Sequence, residues 1–196
     1  MPAYDPRTAL LVVDVQHDFA DPIGSLYVRG AEEIVPVLNG EIAAATDAGA
    51  LVVYTQDWHP ESTPHFEKDG GVWPVHCVHD TWGAEFHADL RVADDAPTIR
   101  KGGGGEDGYS AFSVRDPRSG ESWETSLGGL LRDRLIRRLV IGGLTTDYCV
   151  VESVSDARAR LLEVDVLTSA IRAVDLRSGD GQRALERMRD VGAVLA

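Results

Sequence analysis

The sequence places Cys149, one of its two cysteines, directly after a glycine pair and a run of hydroxyl and acidic residues, in the stretch GGLTTDYCV. Apolar residues follow at the spacing of a buried helix face: Val150, Val154, Ala157 and Leu161. With Thr146 or Asp147 as the N-cap, the sulfur is expected in the first turn of a helix. Backbone N–H groups and the helix dipole there stabilise a thiolate and a developing oxyanion, so Cys149 is a candidate nucleophile. The alternative is a buried cysteine that only packs.

Two further candidates lie at the ends of predicted strands. Asp14 falls at the end of the apolar run ALLVVDV, and Lys101 ends the run APTIRK, just before four glycines. Ligand sites in open parallel sheets lie at the carboxyl ends of the strands, so we expect both residues to converge with Cys149. An aspartate among valines needs a charge partner, which Lys101 can supply, and a lysine beside a thiol favours the thiolate. A loop-capping aspartate and a surface lysine are the alternatives, and Cys77 is expected to be structural.

A third group of residues could hold a metal ion. Asp57 is followed at short intervals by His59, His65 and His76, and four of the six histidines fall between positions 59 and 79. One carboxylate and three neutral imidazoles suit Zn²⁺, Fe²⁺ or Mn²⁺, with water or a ring nitrogen of a substrate in the open positions. We therefore expect one divalent metal ion here. Histidines scattered on a surface loop are the alternative.

The elements that must position these residues alternate along the chain. Strand-like runs lie at residues 9–15, 50–57, 96–101, 138–143, 163–169 and 192–196. Most are continuously apolar, as in strands buried on both faces, and helical patterns lie between them. This order predicts an α/β fold, with a single three-layer domain over residues 1–196, a mostly parallel open sheet of about six strands, and helices on both faces. Two insertions, residues 58–95 and 101–112, interrupt the pattern, and loops this long are usually functional.

Composition argues against several classes of function. The formal net charge of −13 repels phosphate backbones, so we expect no nucleic-acid partner. No apolar run is long enough to cross a bilayer, so we expect no membrane association. The first residues show no export signal, and two cysteines are too few for a disulfide framework, so we expect a cytoplasmic protein.

Six segments of the sequence carry a resemblance: VVDVQHDF, TQDWHP, WPVHCV, RKG, YSAF and GGLTTDYCV. From about residue 8 to residue 175, in order and spacing, they resemble the nicotinamidases (pyrazinamidases) of the isochorismatase-like cysteine hydrolases. The resemblance implies that Cys149 is the nucleophile, that Asp14 takes its proton and later passes it to the leaving ammonia, and that Lys101 holds this pair in charge balance. The implied activity is hydrolysis of nicotinamide, and also of pyrazinamide, through a thioester on the cysteine.

The resemblance also implies a metal site and a biological role. By this resemblance, the divalent ion is bound by Asp57, His59, His65 and His76, and it orients the pyridine ring of the substrate. The small-molecule partner is then nicotinamide, and its product, nicotinic acid, enters NAD salvage and pyridine nucleotide biosynthesis. Members of the family tend to self-associate, so a homo-oligomer is expected.

The surroundings of the implied reaction are assigned in the same way. The backbone N–H groups of Thr145 and Cys149 form the oxyanion hole, next to a non-proline cis peptide bond between Leu144 and Thr145. The side chains expected to contact the substrate are those of Phe19, Trp73, Tyr109, Leu144 and Tyr148.

Two alternatives stay open. Within the superfamily, the substrate could be another small amide, an N-carbamoyl compound or isochorismate, although members with those activities generally lack the histidine-rich loop. From a different class, the chain could be a non-catalytic relative that only binds a metal or ligand. Binding alone, however, needs no thiolate beside Asp14 and Lys101.

Overall fold

The computed structural model describes residues 4–196, and its centre is a six-stranded sheet. The strands of this sheet are β1 (Thr8–Val13), β2 (Leu51–Asp57), β3 (Thr98–Lys101), β6 (Arg138–Leu144), β7 (Glu163–Arg172) and β8 (Val194–Leu195). They lie in the order β3-β2-β1-β6-β7-β8, and every neighbouring pair is parallel. The parallel sheet predicted from the apolar runs is confirmed. A separate antiparallel hairpin of β4 (Ser113–Arg115) and β5 (Ser122–Glu124) was not predicted.

Helices cover both faces of this sheet. The helices are α1 (His17–Ala20), α2 (Ile34–Asp47), α3 (Leu127–Asp133), α4 (Val151–Ala159) and α5 (Asp180–Asp190). Leu10 and Val12 of β1 pack in one apolar cluster with α2, whereas Leu11 and Val13 pack in the other with α3, α4 and α5. The three-layer α/β architecture is therefore confirmed. Within residues 4–196, none of the helices has the length and apolar character needed to span a membrane.

The strand order places one crevice at the centre of the sheet. From β1 the chain continues to β2 and β3 on one side, whereas β6, β7 and β8 extend the sheet on the other side. In open parallel sheets, ligands bind at the carboxyl ends of the strands where the order reverses in this way. Here that point lies between β1 and β6, so the residues that follow these two strands face a common crevice.

Two helices are shorter than the sequence pattern predicts. α4 ends at Ala159, and Leu161, which was predicted on its buried face, is 90% exposed with a φ of 63°. The prediction for Leu161 is wrong because a left-handed turn takes its side chain away from the core before β7 begins. α3 likewise ends at Asp133, and Leu135, with a φ of 55°, lies in an exposed turn. Apolar residues continue at helical spacing across both turns, so the sequence pattern does not show where the two helices end.

The first insertion is a loop held at the edge of the six-stranded sheet by isolated backbone bridges, whereas the second is bridged to β4 through Asp107 and Arg115. Residues 58–95 contain two single 3₁₀ turns, Glu67–Asp69 and Trp82–Ala84. Phe86 of this insertion pairs with Gln16 just after β1, and His59 just after β2 pairs with Val78. These bridges hold the first insertion against the carboxyl ends of β1 and β2, where the crevice lies.

Candidate active site

Asp14 follows β1 directly and is completely buried. Its backbone has a φ of 48°, which turns the chain out of the strand. The neighbouring strand holds it twice: the Asp14 N–H donates to Thr55 Oγ1 at 3.1 Å, and the Thr55 hydroxyl donates to Asp14 Oδ1 at 2.5 Å. The carboxylate is therefore fixed by β2, and its Oδ2 is free for another partner.

That partner is Lys101, the last residue of β3. Its Nζ lies 2.7 Å from Asp14 Oδ2 and 2.8 Å from Asp57 Oδ1, and it is 3.5 Å from Cys149 Sγ. The carbonyl oxygen of Tyr109 is a fourth acceptor at 3.4 Å. We call Asp14, Lys101 and Cys149 the strand-end cluster. The convergence expected from the strand ends is thus present, and the lysine is 1% exposed rather than on the surface.

The two carboxyl groups beside Lys101, those of Asp14 and Asp57, differ in pKa. Burial alone would lower the pKa of Lys101, but the carboxylates of Asp14 and Asp57 outweigh burial and hold it well above the usual range. Burial would raise the pKa of Asp57, yet Lys101 and the nearby imidazoles hold it well below its usual value. Burial and the charge of Asp57 raise the pKa of Asp14 in spite of Lys101. Asp57 is therefore the fixed anion beside Lys101, and Asp14 is the carboxyl group able to gain a proton.

Cys149 lies in a π-helical turn, Thr146–Val150, that leads into α4. Burial raises the pKa of its thiol well above the usual value; Lys101 acts in the opposite direction, but Asp14 and Asp57 add to the effect of burial. The raised pKa favours the thiol over the thiolate expected from the sequence, so the sulfur needs a base. Asp14 is at hand, because its carboxylate and Sγ are within 4.8 Å of each other.

The turn before Cys149 is held by a contact that the sequence did not suggest. The peptide bond between Leu144 and Thr145 is cis, as the resemblance implies. Neither Thr146 nor Asp147 caps the helix, which corrects the prediction. The Asp147 carboxylate instead accepts two backbone N–H groups from the segment after β7, at 3.1 and 2.8 Å. These two hydrogen bonds hold the turn that contains Cys149 against residues 174–175, which follow β7.

The histidines of the first insertion converge next to the strand-end cluster. One ring nitrogen from each of His59, His65 and His76 lies within 4.8 Å of the other two, and all three side chains are buried. We call these three residues the histidine cluster. Asp57 Oδ2 is 3.8 Å from Nε2 of His59 and 4.0 Å from Nε2 of His76. Its Oδ1 faces Lys101, so Asp57 touches both clusters.

The donor atoms of the histidine cluster fit a divalent metal ion. Both ring nitrogens of His59 are buried and have no hydrogen-bond partner within residues 4–196. The carbonyl oxygen of Pro74 is 2.7 Å from His76 Nδ1, and a carbonyl only accepts, so Nδ1 carries the proton and Nε2 is free. Burial lowers the pKa of His76 to about 4, which keeps the imidazole neutral. Neutral imidazoles with free nitrogens, beside a carboxylate, are what a metal ion requires.

Gly102 makes room for this cluster. Its φ is +87°, and a Cβ at this position would lie 2.5 Å from Nδ1 of His59. Gly105 has a similar φ of +86°, but nothing lies within 4 Å of its Cβ position. The glycine run is therefore not uniform, because its first member packs against a predicted metal ligand.

A small cavity joins the two clusters. Its lining is formed by Phe19, Leu26, Asp57, His65, Trp73, His76, Tyr109, Thr145, Tyr148, Cys149 and Val174. Four of the five predicted substrate contacts are in this set. Leu144 is not: its side chain is fully buried in the apolar cluster with α2, because the residue still belongs to β6. Leu26 and Val174 were not predicted, since nothing in their local sequence marks them.

Three polar residues that organise the site also escaped the sequence analysis. Thr55 reads as an ordinary strand residue, although its hydroxyl holds Asp14. Gln16 is fully buried, and its side-chain amide pairs with the backbone N–H and carbonyl of Asp57 at 2.8 and 2.7 Å. Its position just after an apolar strand was the available signal. Asp107 has Oδ1 3.0 Å from His65 Nδ1, and its glycine-rich surroundings gave no indication of this contact.

Comparisons with known proteins agree with this geometry. An Isochorismatase domain model matches residues 8–196. The chain is 35% identical to the nicotinamidase of Escherichia coli, over 97% of this chain and 94% of that protein. It is 34% identical to the nicotinamidase/pyrazinamidase of Mycobacterium tuberculosis, over 95% of this chain and 97% of that protein. The pyrazinamidase of Pyrococcus horikoshii in complex with zinc has a TM-score of 0.87 and 37% identity, covering 97% of this chain and 99% of that one.

Fold, buried cysteine site and family match together define a hydrolase of the isochorismatase-like class. The chain belongs to the isochorismatase family. The resemblance to nicotinamidases seen in its motifs is confirmed by relatives that match over nearly their whole length. The protein is thus an enzyme, and the non-catalytic alternative is set aside.

Proposed function

We propose that this enzyme hydrolyses nicotinamide to nicotinic acid and ammonia, and that it accepts pyrazinamide as well. The observation that carries the proposal is the position of Cys149, which shares one small aromatic-lined cavity with His65 and His76. A relative from L. infantum solved in complex with nicotinate, with a TM-score of 0.89 and 33% identity over 100% of this chain and 95% of that one, supports a pyridine carboxylate as product.

The first half of the proposed reaction forms a thioester. Asp14 takes the proton of the Cys149 thiol as Sγ attacks the carboxamide carbon. The carbonyl oxygen of the substrate becomes an oxyanion, which the backbone N–H groups of Thr145 and Cys149 stabilise. The protonated Asp14 then gives its proton to the leaving nitrogen, the C–N bond breaks, and ammonia departs.

The second half restores the enzyme. Asp14, again ionised, takes a proton from a water molecule as the water oxygen attacks the thioester carbon. The C–S bond breaks, nicotinic acid is released, and the proton returns to the sulfur of Cys149. The raised pKa of Asp14 suits this role, because a base with a pKa nearer to neutrality can both accept and return the proton.

Lys101 has an electrostatic role in this proposal. It is 1% exposed and lies within 2.8 Å of two carboxylates, so it offsets negative charge that water does not reach. Its contact with Sγ at 3.5 Å stabilises the negative charge that develops on the sulfur as the proton leaves. Asp57 keeps Lys101 protonated throughout.

Asp57, His59, His65 and His76 are the residues that would hold the metal ion. When bound, a divalent ion supplies an open coordination position for the pyridine nitrogen and so fixes the ring relative to the sulfur. Phe19, Trp73, Tyr109 and Tyr148 line the cavity around that ring. The identity of the ion stays a prediction among Zn²⁺, Fe²⁺ and Mn²⁺; the zinc-bound relative favours Zn²⁺.

Ammonia release from nicotinamide tests the proposal. The metal-loaded enzyme should turn over nicotinamide, Cys149→Ala should lose activity by about 10⁴-fold or more, and Cys77→Ala, at the other buried cysteine, should stay active. No release of ammonia by metal-loaded enzyme would contradict the substrate. Full activity of Cys149→Ala would contradict the mechanism.

Four expectations from the sequence stay predictions. They are a single domain over residues 1–196, a cytoplasmic location, self-association into a homo-oligomer, and the absence of nucleic-acid and membrane partners. The family match over residues 8–196 supports the first of them. Size-exclusion chromatography with light scattering tests the third.

A further inference from the structure

The three imidazoles of the histidine cluster are supported in three different ways. Neither nitrogen of the His59 ring has a hydrogen-bond partner in the described part of the chain. His76 faces the neutral backbone carbonyl of Pro74. Nδ1 of His65 lies 3.0 Å from a carboxylate oxygen, Oδ1 of Asp107. His65 is thus the one member of the cluster whose Nδ1 faces a charged side chain, and that side chain comes from the other insertion.

The backbone of Asp107 is fixed independently of this contact. Its N–H donates to the carbonyl of Arg115 at 2.7 Å, and its carbonyl accepts the Arg115 N–H at 2.6 Å, which ties it to β4. The Asp107 Oδ1 atom is buried and has no hydrogen-bond partner among the described residues, and His65 Nδ1 lies 3.0 Å from it. A buried carboxylate oxygen costs free energy unless a donor faces it. The imidazole of His65 is the group that can provide the donor.

We propose that Asp107 is a positioning residue for the metal site, which accepts the Nδ1 proton of His65 and leaves Nε2 directed at the metal ion. The proposal rests on the metal site of the proposed function. A carboxylate behind a ligating histidine fixes the tautomer and the ring orientation, and it makes the ligating nitrogen more basic. Asp107 itself does not touch the substrate.

The position of Asp107 links the metal site to the cavity wall. Tyr109, two residues later, accepts the indole N–H of Trp73 on its hydroxyl at 2.9 Å and offers its carbonyl to Lys101 at 3.4 Å. Residues 107–109 therefore contact the histidine cluster, the aromatic wall and the catalytic lysine. When Asp107 is removed, we expect KM to rise more than kcat falls, because the ring of the substrate loses orientation before the sulfur loses its base.

The test is a metal titration of stripped protein. Zn²⁺ affinity is measured by competition with a chromophoric chelator for wild type, Asp107→Ala and Glu106→Gln. We expect affinity about 10- to 100-fold weaker for Asp107→Ala. Glu106→Gln should stay within about twofold of wild type, because the Glu106 carboxylate accepts the N–H of Gly104, at 2.7 Å, and does not contact the histidine cluster among the described residues. Melting curves of the stripped proteins show whether each variant is folded.

A double-mutant cycle separates positioning from a general effect on the loop. In a His65→Ala background, Asp107→Ala should cause no further loss of Zn²⁺ affinity, because the residue it acts through is already absent. Equal losses in both backgrounds, or wild-type affinity in Asp107→Ala, would overturn the inference alone. Failure of wild type to bind Zn²⁺, Fe²⁺ or Mn²⁺ would instead overturn the metal site of the proposed function.

Discussion

The strand-end cluster and the histidine cluster lie side by side but are built in opposite ways. Asp14 directly follows one strand and Lys101 ends another, and every charge there already faces a partner from the chain itself, such as Thr55 or Asp57. The histidine cluster comes from a loop, and both nitrogens of His59 lack a hydrogen-bond partner among the residues that the structure describes. A parallel sheet can therefore complete one half of an active site on its own. The histidine cluster, in contrast, needs a metal ion as the partner of its free ring nitrogens.

The largest effect on stability is expected from a substitution in the strand-end cluster. Lys101→Met leaves two buried carboxylates without a cation, and breaking a buried ion pair costs about 3–5 kcal/mol of unfolding free energy. Activity should fall by about 10³-fold. Urea unfolding and ammonia release measure both quantities.

The control for this substitution is Arg100→Met. Arg100 is the neighbouring cation, exposed and stacked 3.8 Å above the ring of Trp58, so its loss should cost less than about 1 kcal/mol. Equal destabilisation by the two substitutions would mean that the strand-end cluster contributes no special stability, and the contrast between the clusters would fail.

Metal removal should act on the other half. Chelation should lower kcat/KM by about 10²-fold through loss of substrate orientation. Hydrogen exchange should speed up in residues 58–79, which contain the three imidazoles, and in residues 102–109, which contact them, and it should stay unchanged in β1 and β6. Faster exchange in β1 would show that the two clusters are not built independently.

A smaller effect should distinguish two glycines of one loop. Gly102→Ala and Gly105→Ala share the strain of a positive φ, but only the first introduces a methyl group 2.5 Å from His59 Nδ1. Overpacking of this kind costs about 1–3 kcal/mol, so Zn²⁺ affinity should fall about tenfold or more for Gly102→Ala relative to Gly105→Ala. Equal affinities would show that His59 moves freely and is not held by its packing.

The smallest expected effect concerns pH. The pKa of Asp14 is raised, so kcat/KM should rise with pH through that pKa as the base ionises. Thr55→Val removes the hydroxyl that stabilises the ionised form, so the acid limb should move to higher pH by less than about one unit. Thr46→Val, whose hydroxyl bonds to Ile42 in α2, should leave the limb in place.

The raised pKa of Asp14 also determines whether this group stabilises the fold at low or at high pH. Because the pKa of Asp14 is higher in the folded protein than in the unfolded chain, this group favours folding at low pH. That contribution is lost as the pH rises through the folded pKa. Thr55→Val should increase the loss, which urea unfolding at several pH values measures.

The sequence predicted the parts of the molecule that periodic structure determines. Apolar runs gave the strands, and the strand ends gave Asp14, Asp57 and Lys101; Asp57 and Lys101 are even direct partners in the β2–β3 register. Predictions failed where position depends on a turn, or where a pKa depends on burial and on charges that the fold brings together. Leu161 continues an apolar spacing but lies beyond the helix end. The pKa of the Cys149 thiol is raised because burial and the carboxylates of Asp14 and Asp57, within 4.8 Å, outweigh Lys101.

The loop contacts needed three dimensions. Asp107 and His65 are separated by a whole strand and much of an insertion, and neither residue has a periodic neighbour that marks the other. Thr55 is indistinguishable by type from any β-branched residue that forms a strand. Such residues can be identified only from the folded structure, in which their polar atoms lie close together.

The two oxygens of Asp57 face different neighbours, one toward Lys101 and the other toward His59 and His76. In the proposed function, one carboxylate therefore serves both as the counterion of the catalytic lysine and as a donor beside the metal ion. Removing the metal ion would leave Asp57 with its role beside Lys101, whereas replacing Asp57 would disturb both halves of the site.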